Sequence, residues 1–326
     1  MTATLKRRAP WLAKVAGGLL LFWIAFRDVD VKAVQRSFIL VDWRWLVAAV
    51  ASVFLTLHAA TARWALLLTQ APFGPVSPVL FHAIVASQAA NIVMPFKLGD
   101  AFRIGAVSRA LAVPPAEVLA SVAVERAYDT LALGVACALL VSFGVLPQVA
   151  QTGLASLTLV IAAGAAFGLS AWRWPGVWRR LGTAAGSVLP ERPRQWLAGQ
   201  GALLVRGFAR AAKARLIAGA AVLSAAVMLA SILTTYLVMR ACGIDAGAVA
   251  SAVVVIVLQI GNAVVPVPGA VGVAQVLTVE TLEIWKVQEA PALAYALMLY
   301  VVTRVPRLAL LPYSLSRLAR QAAPHG

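Results

Sequence analysis

The 326-residue chain is 62% hydrophobic and only 12% charged, with a mean hydropathy of +0.87. A soluble domain carries roughly 25% charged residues, so a water-soluble globular fold is excluded and the chain reads as an all-α polytopic membrane protein. The formal charge of +16 would suggest nucleic acid in a soluble chain, but here an excess of Lys/Arg in cytoplasmic loops accounts for it, and no nucleic-acid partner is expected.

In chain order, Lys6, Arg7 and Arg8 lead into an apolar stretch at 10–26 with no small-residue cleavage site. Stretches of about 20 apolar residues, the length that crosses a bilayer, follow at 46–68, 118–146, 154–171, 216–239 and 291–312. Two further apolar stretches share a phrase. Gln88-Ala-Ala-Asn91-Ile-Val-Met-Pro95 returns as Gln259-Ile-Gly-Asn262-Ala-Val-Val-Pro266, 171 residues later, and these hold the only two asparagines of the chain. An amide inside an apolar run is costly unless partnered, and a proline ends or kinks a helix. The second stretch is also broken at Pro266-Val-Pro268-Gly269. Paired interruptions, one per half, point to a site between repeats.

Charge decides whether these two stretches cross. If both are re-entrant, about six helices span and both termini are cytoplasmic. Segment 173–215, with nine Lys/Arg against Glu191 alone, then also stays inside. If both crossed, that basic segment would be outside. The expected fold is therefore one integral membrane domain with two re-entrant hairpins. Repeat 1 covers about 45–146 with a hairpin at 78–103, and repeat 2 about 216–318 with a hairpin at 246–283. Three spans separate the hairpins, so they enter from opposite faces as an inverted repeat. Segment 173–215 reads either as an amphipathic helix on anionic inner-leaflet lipids, with Trp196, Leu197, Leu203, Leu204 and Phe208 on one face, or as a solvated basic loop. Gly164 and Gly168 permit close helix contact in the fourth span.

Ionisable residues inside these stretches cost about 2.5–3.5 kcal/mol each at mid-bilayer and face the protein interior or water. Arg63 lies near a helix end, from which it can snorkel. Glu125, Arg126 and Asp129 form a local cluster at helical spacing; Lys97, Asp100 and Arg103 follow the first hairpin; Arg304 and Arg307 lie late in the last span. Two readings stand side by side: buried ion pairs that lock helices, such as Glu125 or Asp129 with Arg304, and an electropositive cavity for an anionic headgroup, since the guanidinium fork suits phosphate. Asn91 and Asn262 either cap the broken tips or touch a ligand. Cys137, Cys242 and the three histidines show no metal or redox spacing, so no metal or cofactor is expected.

Asn91-Ile-Val-Met-Pro95-Phe-Lys97-Leu-Gly99-Asp100-Ala-Phe-Arg103, Glu125-Arg126-x-x-Asp129 and Pro266-Val-Pro268-Gly269-Ala-Val-Gly272 resemble the lysylphosphatidylglycerol synthase transmembrane-domain family, also called flippase-like. Ala62-Arg63-Trp64 and Thr303-Arg304 are similar to it as well, and the likeness runs from about residue 9 to 318. Ala270 departs from it where the family often has glycine.

The resemblance implies a membrane domain that moves or presents lipid between leaflets. In full-length synthases an aminoacyl-transferase domain follows; here only a short tail follows the last span, so no aminoacylation is expected. The expected function is translocation, without chemistry on the substrate, of an anionic phospholipid, glycolipid or polyprenyl-phosphate-type lipid in the cell inner membrane. Arg103, Arg126 and Arg304 would contact the headgroup, with Lys97, Asp100, Glu125, Asp129, Asn91 and Asn262 lining the cavity. Pro95, Gly99, Pro266, Pro268, Gly269 and Gly272 would break the backbone and act as hinges. Two alternatives remain: a membrane-embedded lipid-modifying enzyme using Glu125 or Asp129 as base, and a non-transporting scaffold. A lipid or glycan biosynthetic enzyme is a further expected partner.

Overall fold

A computed structural model describes residues 31–39, 41–68, 77–94, 98–142, 176–177, 180, 214–264 and 272–322. Their long elements are all helices: α1 (Val31–Ile39), α2 (Trp43–Leu67), α3 (Pro78–Val93), α4 (Leu98–Leu111), α5 (Pro115–Ser142), α6 (Ala214–Ala241), α7 (Gly247–Val264), α8 (Val273–Glu283) and α9 (Glu289–Ala322). The expected span at 154–171, the first apolar stretch and the amphipathic face within 173–215 lie outside the described residues. So do Pro95, Lys97, Pro266, Pro268 and Gly269.

Local sequence sets the helix ends. Asp42 caps α2 by accepting the Arg44 N–H at 2.9 Å. Pro78 occupies the first turn of α3, where a missing N–H costs nothing. Met94 is extended (ψ 141°) because the next residue, Pro95, bars it from the helical region. Ala112 is left-handed (φ 51°) between α4 and the pair Pro114-Pro115. Gly272 opens α8 at φ 81°, where a side chain would be strained, and the buried Gln275 accepts its N–H at 2.8 Å.

Among the described residues, three helices are long and apolar enough to cross a membrane: Trp43–Leu67, Leu216–Ala241 and Glu289–Gln321. α5 has the length, at 28 residues, but carries Glu125, Arg126 and Asp129 along it. Large apolar side chains face outward along α5 (Leu131, Val135, Leu139) and α6 (Val222, Leu229, Leu233), as lipid-facing surfaces do.

The offset of 171 residues read from the asparagines applies to whole helices. Shifting α2, α3, α4 and α5 by 171 lands on α6, α7, α8 and α9, within a few residues at most boundaries. α2 and α6 make the most extensive pairing in the fold. They run antiparallel: the Asp42 N–H reaches the Ala241 carbonyl at 2.9 Å, Ser52 bonds both Ala230 and Thr234 at 3.0 Å, Arg63 bonds Ser224 at 3.1 Å, and Gly219 abuts Leu66.

α4 folds back along α3. Asn91 meets Gly99 and Ser87 meets Asp100 near the turn, while Val79 and Leu111 line one cavity at the open end. α8 returns along α7 in the same way, with Leu277 against Gly261 and with Ala246 and Trp285 lining a cavity at the open end. The first cavity includes Arg317 near the end of α9, the second Pro291 near its start. The two folded-back pairs thus open at opposite ends of a helix about 50 Å long.

Several boundaries differ from the sequence reading. α4 continues to Leu111 rather than stopping at 103, because nothing interrupts it before Ala112 and the two prolines. α9 runs through Pro306 and Pro312 to Ala322 instead of ending at 312. Between the apolar stretches at 10–26 and 46–68 the chain also forms the short helix α1, whose Val34 and Phe38 pack on Leu293 and Ala294 of α9.

Candidate functional site

The densest polar feature joins α2, α4 and α5. Arg63 approaches Glu125 at 3.0 Å and Asp129 at 2.6 Å, one turn apart on α5. Arg103 approaches the other oxygen of Glu125 at 2.9 Å and lies 3.9 Å from Asp100. Arg126 grips both oxygens of Asp100, at 2.8 and 3.0 Å, and reaches Asp129 at 3.3 Å. Three arginines thus face three carboxylates, so the electropositive cavity expected from sequence is, taken whole, balanced.

The balance is not uniform in depth. Arg63, Arg103 and Glu125 are 2–4% exposed and together carry one net positive charge. Arg126, Asp100 and Asp129 have partly exposed side chains and form a rim with one net negative charge. The inner arginines sit on built supports. The Arg103 guanidinium stacks 4.4 Å over the Trp64 ring. Trp64 is fully buried, its indole N–H donated to Ser121 at 3.0 Å. The Arg63 contact to Ser224 ties the network to the second repeat.

Arg103 nevertheless leaves bonding capacity unused. Its Nε and Nη2 are buried without a hydrogen-bond partner among the described residues, as is Glu125 Oε2. The 2.9 Å approach between Nη2 and Oε2 is an ion contact too oblique for a hydrogen bond. Nε and Nη2 form one edge of the guanidinium, the fork that takes two phosphate oxygens.

Two expectations need correction. Arg63 does not snorkel: it sits on the same stripe as the buried Ala60 and Leu67, and the two α5 carboxylates hold it inside. The partners of Glu125 and Asp129 are Arg63, Arg103 and Arg126 rather than Arg304. Arg304 is half-buried on α9, its guanidinium 4.3 Å over Tyr300 of its own helix.

The two asparagines play different parts. Asn91 Oδ1 accepts the Gly99 N–H at 2.8 Å, tying the end of α3 to the start of α4. Asn262 is exposed near the end of α7. The glutamines diverge too: Gln88 accepts Arg307 Nε at 2.7 Å, linking α3 to α9, whereas Gln259 donates to the Met228 sulfur on α6 at 3.5 Å. The charges are not repeated at all. Positions 171 after Arg63, Arg103, Glu125 and Asp129 hold Thr234, Ala274, Ala296 and Tyr300. Sequence reasoning left Arg63, Trp64, Gln88 and Arg307 out of the site; the apolar stripe around Arg63 was the available signal.

An all-helical bundle with folded-back helix pairs and charges buried between its long apolar helices defines a polytopic membrane protein. Residues 11–310 match the family described as the lysylphosphatidylglycerol synthase TM region, and the chain belongs to that family. No curated protein and no solved structure matches it.

Proposed function

We propose that the chain moves an anionic lipid between leaflets of the cell inner membrane without altering it chemically. The observation that carries this reading is the Arg103 fork, buried beside Glu125 and closed by a rim of ion pairs. A phosphate-bearing headgroup that displaces Asp100 from Arg126 gains an exposed guanidinium first and the inner fork second. Charged groups held within a membrane bundle mark substrate paths more often than they stabilise a fold.

The helix pairs supply a route in this reading. Each is a re-entrant hairpin, α3–α4 open to the cytoplasmic face and α7–α8 to the other. Each hairpin gates one leaflet. About six helices span, both termini are cytoplasmic, and acyl chains stay in the bilayer while the headgroup crosses. The antiparallel α2–α6 pairing and the opposite openings along α9 support an inverted repeat. Against an enzyme, Glu125 is engaged by two guanidiniums, which leaves it poorly placed as a base.

Proteoliposomes carrying a fluorescent anionic phospholipid test the proposal. Wild-type protein should make the inner-leaflet label accessible to an impermeant quencher, and Arg126→Gln, at the half-exposed rim, should slow this about tenfold. Wild-type rates in a folded Arg126→Gln, Arg103→Gln double variant would remove the site from the path. Conversion of a labelled lipid to a new product would favour the enzyme.

A further inference from the structure

We propose a second ligand site, for a phosphate group that carries its own O–H, in the cavity where α3 begins and α9 ends. The cavity, about 450 Å³, is lined among others by Ser77, Val79, Leu111, Arg317, Arg320 and Gln321. It shares no residue with the charged network of α2, α4 and α5.

Ser77 is the N-cap of the 16-residue α3, a position where serine ordinarily turns its hydroxyl onto the first-turn N–H groups. Here it makes no such bond. Its Oγ is buried, the residue 1% exposed, and has no partner among the described residues. The first-turn donors of α3 are therefore left uncapped beside the cavity, the arrangement that binds anions at helix N-termini. Arg317 Nε is a second buried donor without a hydrogen-bond partner among the described residues. Basic residues in the last turn offset the carbonyl end of a helix, and that accounts for Arg320. It does not account for buried, unmated Ser77 Oγ and Arg317 Nε, since buried polar atoms are nearly always bonded.

The set of groups specifies the ligand. Hydroxyl, helix N–H groups and two guanidiniums all donate, as an anionic oxygen cluster requires. Gln321 Oε1, also buried without a partner among the described residues, can only accept. A hydrogen phosphate, or a phosphate monoester in its singly protonated form, presents acceptors to the first group and an O–H to the second. A phosphodiester lacks that O–H, and sulfate is unprotonated near neutral pH. The ligand is either free inorganic phosphate or the headgroup of a lipid phosphate monoester.

Two probes separate these sources, both on the full-length protein in phosphatidylcholine nanodiscs. One is inorganic phosphate, titrated against sulfate at constant ionic strength and followed by the unfolding midpoint. The other is phosphatidic acid doped into the disc and counted as retained adducts by native mass spectrometry. Stabilisation by phosphate assigns the site to the free ion; adducts without stabilisation assign it to the lipid. In whichever arm binds, Ser77→Ala and Arg317→Gln should each weaken binding about tenfold. Ser77→Thr should retain binding, and Arg109→Gln, an exposed charge in the last turn of α4, should leave it unchanged. Binding of neither probe, equal loss in Arg109→Gln, or full binding by Ser77→Ala that unfolds like wild type would overturn the proposal.

Discussion

The side-chain oxygen of Asn91 holds the backbone N–H of Gly99 at 2.8 Å, across the break between α3 and α4. One amide thus satisfies an otherwise orphaned donor at the start of α4 and fixes the separation of the two arms. The glycine is required by that separation. A Cβ at position 99 would run into the Ser87 carbonyl oxygen and Asn91 Oδ1, and the first of these is backbone that cannot swing away. Gly99→Ala should therefore cost about 1–3 kcal/mol, and Asn91→Ala about 1 kcal/mol. Both are read as a lower unfolding midpoint in detergent; a wild-type midpoint for Gly99→Ala would contradict the close approach.

Arg63 bridges two carboxylates while itself almost fully buried. Arg63→Met should destabilise by about 3–5 kcal/mol, because it leaves Glu125 and Asp129 one buried counter-charge short. Adding Asp129→Asn, which leaves two arginines facing two carboxylates, should recover much of that loss. Urea or thermal unfolding of the single and double variants measures both, and equal stability of the two would show that the charges do not act together.

The α2–α6 pairing brings Ser52 Oγ and Thr234 Oγ1 to 3.0 Å. In a background with Cys137 and Cys242 replaced by alanine, Ser52→Cys with Thr234→Cys should form an intrachain disulfide under a membrane-permeant oxidant. Ser52→Cys with Ser224→Cys should not, since Ser224 lies more than a helical turn further along α6, beside Arg63. Gel mobility with and without reductant distinguishes them.

The folded-back pairs place Ala112 beyond one open end and Lys286 beyond the other. Single cysteines there, again in a cysteine-free background, should react with an impermeant maleimide from opposite sides of sealed vesicles. Labelling of both from one side would exclude opposed openings.

Much of this architecture could be read in the chain because hydrophobic runs, prolines and rare amides are local signals. Two asparagines were enough to find an offset that relates α2–α5 to α6–α9. Pro95 and Gly272 marked where helices stop and start. What escaped was pairing between distant elements. Arg63 looked able to reach water from its helix end, yet the stripe it shares with Ala60 and Leu67 turns it toward α5. Gln88 and Arg307 are 219 residues apart, and no local pattern announces their contact. α1 was missed because a nine-residue helix with Lys32 and Arg36 has too little apolar length to stand out from a loop.

The 171-residue offset relates backbones, but the network of Arg63, Arg103, Arg126 and their three carboxylates belongs to the first copy alone. Arg63 lies four residues, about 6 Å, from the end of α2. On the translocation proposed above, a headgroup entering from that side would reach the network after a short climb. One from the far side would cross most of the hydrocarbon first. A passive path of that kind would not alter the final distribution between the two sides, so the lopsidedness would concentrate nothing. What it would set is occupancy: half-saturation would come at different concentrations on the two faces, with maximal rates differing in the same proportion.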